Sequence, residues 1–115
     1  PTVRRGRPDR GWANPAVHEE CADILRSRLD RGVDGCRVDV AHGLVKAEGL
    51  PDHVPALGAS GEPVPASSPT AASPFFDQDG VHEIYREWRR ILDAYPGERI
   101  LVAEAWVEPL ERLFR

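Results

Sequence analysis

The 115 residues predict an α/β unit in the order helix, strand, helix, strand, cut from a larger parallel sheet or barrel. Two apolar faces of helical period, one starting at Asn14-Pro15 and one after Asp79, supply the helices. Two short β-rich runs, ending in Asp39 and Glu104, each follow one of those faces and supply the strands. Right-handed crossovers with a loop after each strand complete the arrangement.

The lead-in from Pro1 to Gly11 carries Arg4, Arg5, Arg7 and Arg10 among Pro and Gly, and has no apolar period. Asn14 can accept from the free amides of a first helical turn, and Pro15 has no amide to leave unsatisfied. The helix is expected to run to about Asp30 and to bury Val17, Cys21, Ile24, Leu25 and Leu29. Gly32 suits a left-handed C-terminal cap. After an Asp34-Gly35 turn, Cys36-Arg37-Val38-Asp39-Val40 alternates apolar and charged side chains, a strand signature.

A long irregular loop follows, from about 43 to 78. It holds Pro51, Pro55, Pro63, Pro65, Pro69 and Pro74 and a Pro/Ser/Ala-rich stretch at 65–74. Asp79 is the expected cap of the second helix, whose face carries Val81, Ile84, Tyr85, Trp88, Ile91, Leu92 and Tyr95 before Pro96-Gly97 ends it. Ile100-Leu101-Val102-Ala103-Glu104-Ala105 is apolar except for Glu104, as expected of a strand buried on both faces.

A net charge of -4, from 15 basic and 19 acidic residues without a basic run, provides no electrostatic footprint for nucleic acid or an anionic membrane. A neutral polar partner fits better. No stretch approaches the roughly 18 apolar residues of a membrane span. Cys21 and Cys36 fall in core segments and read as reduced thiols of a cytoplasmic protein. No His, Cys, Asp and Glu cluster has metal-ligand spacing, and Asp77-Gln78-Asp79-Gly80 lacks the later glutamate of a calcium loop. A start at Pro1 without Met and an end at Leu113-Phe114-Arg115 suggest a chain cut at both ends. The oligomeric state is left open.

Chemistry is expected at the carboxyl ends of the strands, where Asp39 and Glu104 stand. Neighbouring strands lie about 4.8 Å apart, so the two carboxylates could approach to roughly 5 Å, the spacing of a retaining glycosidase. Arg37, two residues before Asp39 on the same face, favours an ionised nucleophile there. Glu104 sits among apolar and aromatic neighbours, which suits a proton donor. On spacing alone, a structural ion pair between Arg37 and Asp39 is an equally open reading.

Gly35-Cys36-Arg37-Val38-Asp39-Val40-Ala41-His42 resembles the fourth-strand motif of the α-amylase family, usually Gly-Phe-Arg-x-Asp. Ile100 to Trp106 is similar to the family's fifth-strand motif, and Arg7-Pro8-Asp9-Arg10-Gly11-Trp12 to its Gln-Pro-Asp-Leu-Asn-Trp segment. The runs Asp30 to Gly35, His42 to Lys46 and Phe75 to Tyr85 look like bacterial α-glucosidases of that family.

The resemblance implies part of a catalytic TIM (β/α)8 barrel over residues 1–115, covering the fourth and fifth strands and their flanking helices. It implies Asp39 as nucleophile, Glu104 as acid/base and Arg37 as the contact of the Asp39 carboxylate. No cofactor is implied. The expected activity is retaining hydrolysis of α-glucosidic bonds in small maltooligosaccharides through a glucosyl-Asp intermediate. Val40 is similar to α-1,4-preferring members, His42 is a candidate cleft residue, and Trp106 a candidate for stacking on a sugar ring.

Transglycosylation by a trehalose- or sucrose-processing relative, or a noncatalytic remnant, are the alternatives. The family's third carboxylate would lie beyond residue 115, so the isolated chain is expected to be inactive. Two departures stand out: Cys36 occupies the usual Phe position, and Arg10-Gly11 the usual Leu-Asn.

Overall fold

Helix α1 (Pro15–Asp30) begins where its chemistry requires, with Asn14 Oδ1 accepting from the Ala16 N–H at 3.0 Å. It ends in a two-bond left-handed cap. Gly32, at φ 87°, donates to the Leu29 carbonyl at 2.9 Å, and Val33 donates to Arg28 at 3.3 Å. The computed structural model describes residues 11–49, 51–52, 57–64 and 73–114. Most of the Arg7 to Trp12 motif and most of the low-complexity stretch lie outside these.

Strand β1 (Gly35–Val38) pairs in parallel with β2 (Ile100–Ala103), in the register Gly35 to Ile100, Cys36 to Leu101, Arg37 to Val102 and Val38 to Ala103. Helix α2 (Val81–Asp93) lies between them in sequence and forms the crossover. The helix, strand, helix, strand order expected of the chain is therefore present.

Both helices pack on one face of the pair. Ala22, Leu25 and Leu29 of α1 meet Ile91 and Leu92 of α2, and the register partners Cys36 and Leu101 close that core from the sheet side. Cys36 thus fills a core position, and neither it nor Cys21 forms a disulfide. Because side chains alternate across a strand, Arg37, Ile100 and Val102 project to the other face. Ile100 is 60% and Val102 53% exposed. The expectation that β2 is buried on both faces is not met: among the described residues the sheet has two strands, the helices cover a single side, and even there Leu101 is half-buried and Ala103 exposed.

Two details of the helices depart from the sequence reading. Ile24, placed on the buried face by its period, is largely exposed and borders an open cavity beside Val33 and Cys36. Asp79 does not cap α2. Gly80 occupies the cap position without a side-chain bond, and Asp79 Oδ1 instead accepts from Arg112 Nη2 at 2.9 Å.

Within the 43–78 loop, the Ala47 N–H donates to the Pro74 carbonyl at 2.7 Å, and Leu57 and Pro63 form an antiparallel bridge. Among the described residues, no helix is long and apolar enough to cross a membrane. Nor do three His, Cys, Asp or Glu side chains gather there as a metal site would require.

Candidate active site

The carboxyl end of the β pair departs from a regular ladder. Glu104 donates its N–H to the Val38 carbonyl at 3.0 Å and accepts at its own carbonyl from the Ala41 N–H at 2.8 Å. In a regular parallel ladder the second partner would be Val40. Two residues, Asp39 and Val40, therefore fall opposite the single Glu104, the arrangement of a bulge.

Val40 takes up the extra length in a left-handed conformation, φ 48° and ψ 47°. For a β-branched side chain this costs on the order of 1–2 kcal/mol. Its N–H, released from the ladder, points at Glu104 Oε2 at 3.4 Å.

The bulge leaves Arg37, Asp39 and Glu104 together on the face away from the helices. Arg37 Nη1 donates to Asp39 Oδ1, and Nη2 of the same guanidinium lies 3.1 Å from Glu104 Oε2. One cation thus bridges both carboxylates, so proximity to Arg37 does not distinguish their roles. All three side chains are substantially open to solvent. A planar guanidinium suits this task because its two terminal nitrogens address two acceptors in a fixed geometry.

Below this surface the chain is pinned by a short 3-10 turn, Ala41–Gly43. The Tyr85 hydroxyl, from α2, donates to the Ala41 carbonyl at 2.7 Å, and the Asp77 N–H donates to His42 O at 2.8 Å. Burial pushes the Tyr85 hydroxyl well above its usual range, so it acts as a fixed neutral donor.

His42 is buried against Phe76, with ring centroids 5.2 Å apart, and among the described residues neither ring nitrogen has a hydrogen-bond partner. Burial lowers its pKa from the usual 6.5, against the opposing pull of Asp77 and Glu104, while Lys46 lowers it further. Trp106 stands past the end of β2, 60% exposed.

Of the residues singled out in the sequence, Arg37, Asp39, Val40 and Glu104 come together. His42 sits beneath them rather than on the open face. Tyr85 carried no functional signal in sequence beyond its place on the apolar face of α2. Asp77 and its bond to Arg112 Nε at 2.6 Å, which ties the 110–114 segment to this loop, carried none.

A family model described as alpha amylase, catalytic domain, matches residues 3–113. The chain belongs to the alpha-amylase catalytic-domain family. Maltase A2 of Drosophila melanogaster is 33% identical over 94% of this chain and 21% of its own length. The oligo-1,6-glucosidase of Parageobacillus thermoglucosidasius is 34% identical over 77% and 15%. A human amino acid transporter heavy chain is 32% identical over 92% and 16%.

Among solved structures, the alpha-glucosyl transfer enzyme XgtA superposes with a TM-score of 0.62 at 26% identity, covering 81% of this chain and 18% of that one. The chain spans between 15% and 21% of the length of these curated relatives. Membership in the alpha-amylase family makes the parallel β pair and its helices part of a TIM barrel, a fold that needs about 250 residues to close.

Proposed function

We propose that this chain supplies the nucleophile and the acid/base of a retaining α-glucosidase, from the fourth and fifth strands of the barrel. The carrying observation is that Asp39 and Glu104 stand at the carboxyl ends of adjacent parallel strands and share one guanidinium, Arg37. Adjacent strands lie about 4.8 Å apart, which suits the roughly 5 Å separation of a retaining pair.

In this reading Glu104 protonates the leaving oxygen while Asp39 attacks the anomeric carbon. Glu104 then takes a proton from the water that releases glucose from Asp39. Arg37 orients Asp39. Val40 borders the site and favours α-1,4 linkages, and Trp106, exposed past β2, offers a face for a sugar ring. His42 supports this surface from below. The substrate is a small maltooligosaccharide, no cofactor takes part, and the location is cytoplasmic, where Cys21 and Cys36 stay reduced.

The test is glucose release from maltose, isomaltose and p-nitrophenyl α-glucoside by the natural-length gene product. Asp39→Asn and Glu104→Gln should each abolish it, and a 5-fluoroglucosyl fluoride should label Asp39. An active Asp39→Asn protein, or a label elsewhere, refutes the assignment. The likeness to a glucosyl transfer enzyme favours a second reading, transfer to a sugar acceptor by the same carboxylates. Disaccharide products exceeding free glucose would select it.

A further inference from the structure

We infer that Tyr85 is a positioning residue for Glu104, acting through the left-handed turn at Val40. The inference rests on the reading of Glu104 as acid/base and adds a residue of α2 to the machinery. Four main-chain and side-chain bonds carry it.

Ala41 is gripped at both of its polar groups. Its N–H goes to the Glu104 carbonyl at 2.8 Å, and its carbonyl accepts the Tyr85 hydroxyl at 2.7 Å. With Ala41 occupying the ladder position, the Val40 amide has no strand partner and turns to Glu104 Oε2 at 3.4 Å. The Val40 carbonyl accepts from the Gly43 N–H at 2.9 Å, which closes the turn.

A β-branched residue does not hold φ 48° unless its surroundings determine it. Here they do, and the strained amide then addresses one oxygen of the carboxylate while Arg37 Nη2 addresses the same oxygen from the sheet face. Both donors fall on Oε2, which leaves Oε1 as the oxygen available to carry and deliver a proton. Tyr85 is well suited to this task. It packs edge-on against Trp88, with ring centroids 5.6 Å apart, so its hydroxyl is carried by a rigid helix rather than a loop.

Removing the Tyr85 hydroxyl leaves the Ala41 carbonyl unpaired, loosens the turn and lets the Glu104 carboxylate swing. In the glycosylation step the loss falls on proton donation. It should therefore appear with substrates that need an acid and be small with those whose leaving group departs unaided.

The experiment uses the natural-length gene product labelled with 15N-valine. Glu104→Gln and Tyr85→Phe should each move the Val40 amide proton to higher field, because each weakens its carboxylate hydrogen bond. Tyr85→Phe should also lower kcat/KM, which reports the glycosylation step, by about tenfold more for maltose than for p-nitrophenyl α-glucoside.

An equal fall in kcat/KM for both substrates marks a merely structural tyrosine and overturns the inference. So does a Val40 amide indifferent to Glu104→Gln, a readout that needs no Tyr85 variant. If the wild type cleaves neither glucoside, the glycosidase reading fails. The amide shifts then decide whether the turn holds the carboxylate.

Discussion

Arg37 Nη2 lies 3.1 Å from Glu104 Oε2 on the neighbouring strand, while Nη1 of the same group holds Asp39. In a site this open to water the attraction itself is screened, and the value of the arrangement is orientational. A guanidinium fixes two acceptors at once, whereas an ammonium is a point charge on a flexible stem.

Arg37→Lys should therefore behave almost as badly as Arg37→Ala. Both should lower kcat/KM for p-nitrophenyl α-glucoside by about 10²-fold, the penalty of misplacing a reacting group by an ångström. Steady-state kinetics on the natural-length gene product check this. A lysine variant with most of its activity intact would show that charge alone suffices at position 37.

His42 sets a pH dependence whose sign follows from burial. Its folded-state pKa is lowered from 6.5 by burial, against Asp77 and Glu104 and together with Lys46. Below 6.5 the unfolded chain therefore binds a proton that the folded chain resists, and stability falls as the pH drops beneath that value. Above it the neutral ring has no such cost. Urea midpoints measured from pH 7.5 down to 5 should decline. They should decline less in His42→Leu, which keeps the volume against Phe76 and removes the titrating nitrogens. Parallel declines in the two proteins would place the titrating group elsewhere.

The core prediction separates two residues that the helical period treats alike. Leu92 is 1% exposed among residues of both helices, and Leu92→Ala should cost about 2–5 kcal/mol. Ile24 is 45% exposed, and Ile24→Ala should cost less than about 1 kcal/mol. Equilibrium unfolding in denaturant gives both values. A loss at Ile24 matching that at Leu92 would mean that α1 is covered by chain lying outside the described residues.

That contrast shows what the sequence could and could not reveal. Helix ends were legible because their causes are local: Asn14 caps its own first turn, and Gly32 supplies the left-handed residue two positions past Asp30. Asp39 and Glu104 were legible because a carboxylate at the end of an apolar strand has a desolvation cost that only a site or a partner explains.

Asp79 misled because its carboxylate is taken by Arg112, a partner 33 residues away that no local pattern reveals. Ile24 misled because period tells which way a side chain faces and not whether anything stands opposite. The turn at Val40 was invisible for the same reason. Val after Asp in a β-branched run reads as continued strand. Bonds from Glu104 and Tyr85 impose the left-handed conformation, 64 and 44 residues from their partners.

Gly35 offers the sharpest test of the strand pairing on which the site depends. It pairs with Ile100, and a Cβ added there would stand 2.6 Å from the Ile100 carbonyl oxygen and 2.7 Å from its Cγ1. The side-chain atom could rotate away, but the carbonyl belongs to the backbone of β2 and cannot. Gly35→Ala must therefore pry the two strands apart at their first rung, at about 1–3 kcal/mol. The displacement is carried along the ladder toward Asp39 and Glu104, so activity should fall by more than the lost stability explains at temperatures where the variant remains folded. Gly11→Ala, where an added Cβ meets nothing within 4 Å, is the control and should change neither quantity beyond about 0.5 kcal/mol. A Gly35→Ala protein as stable and active as Gly11→Ala would mean that β1 and β2 are not in this register, and that Asp39 and Glu104 do not face each other.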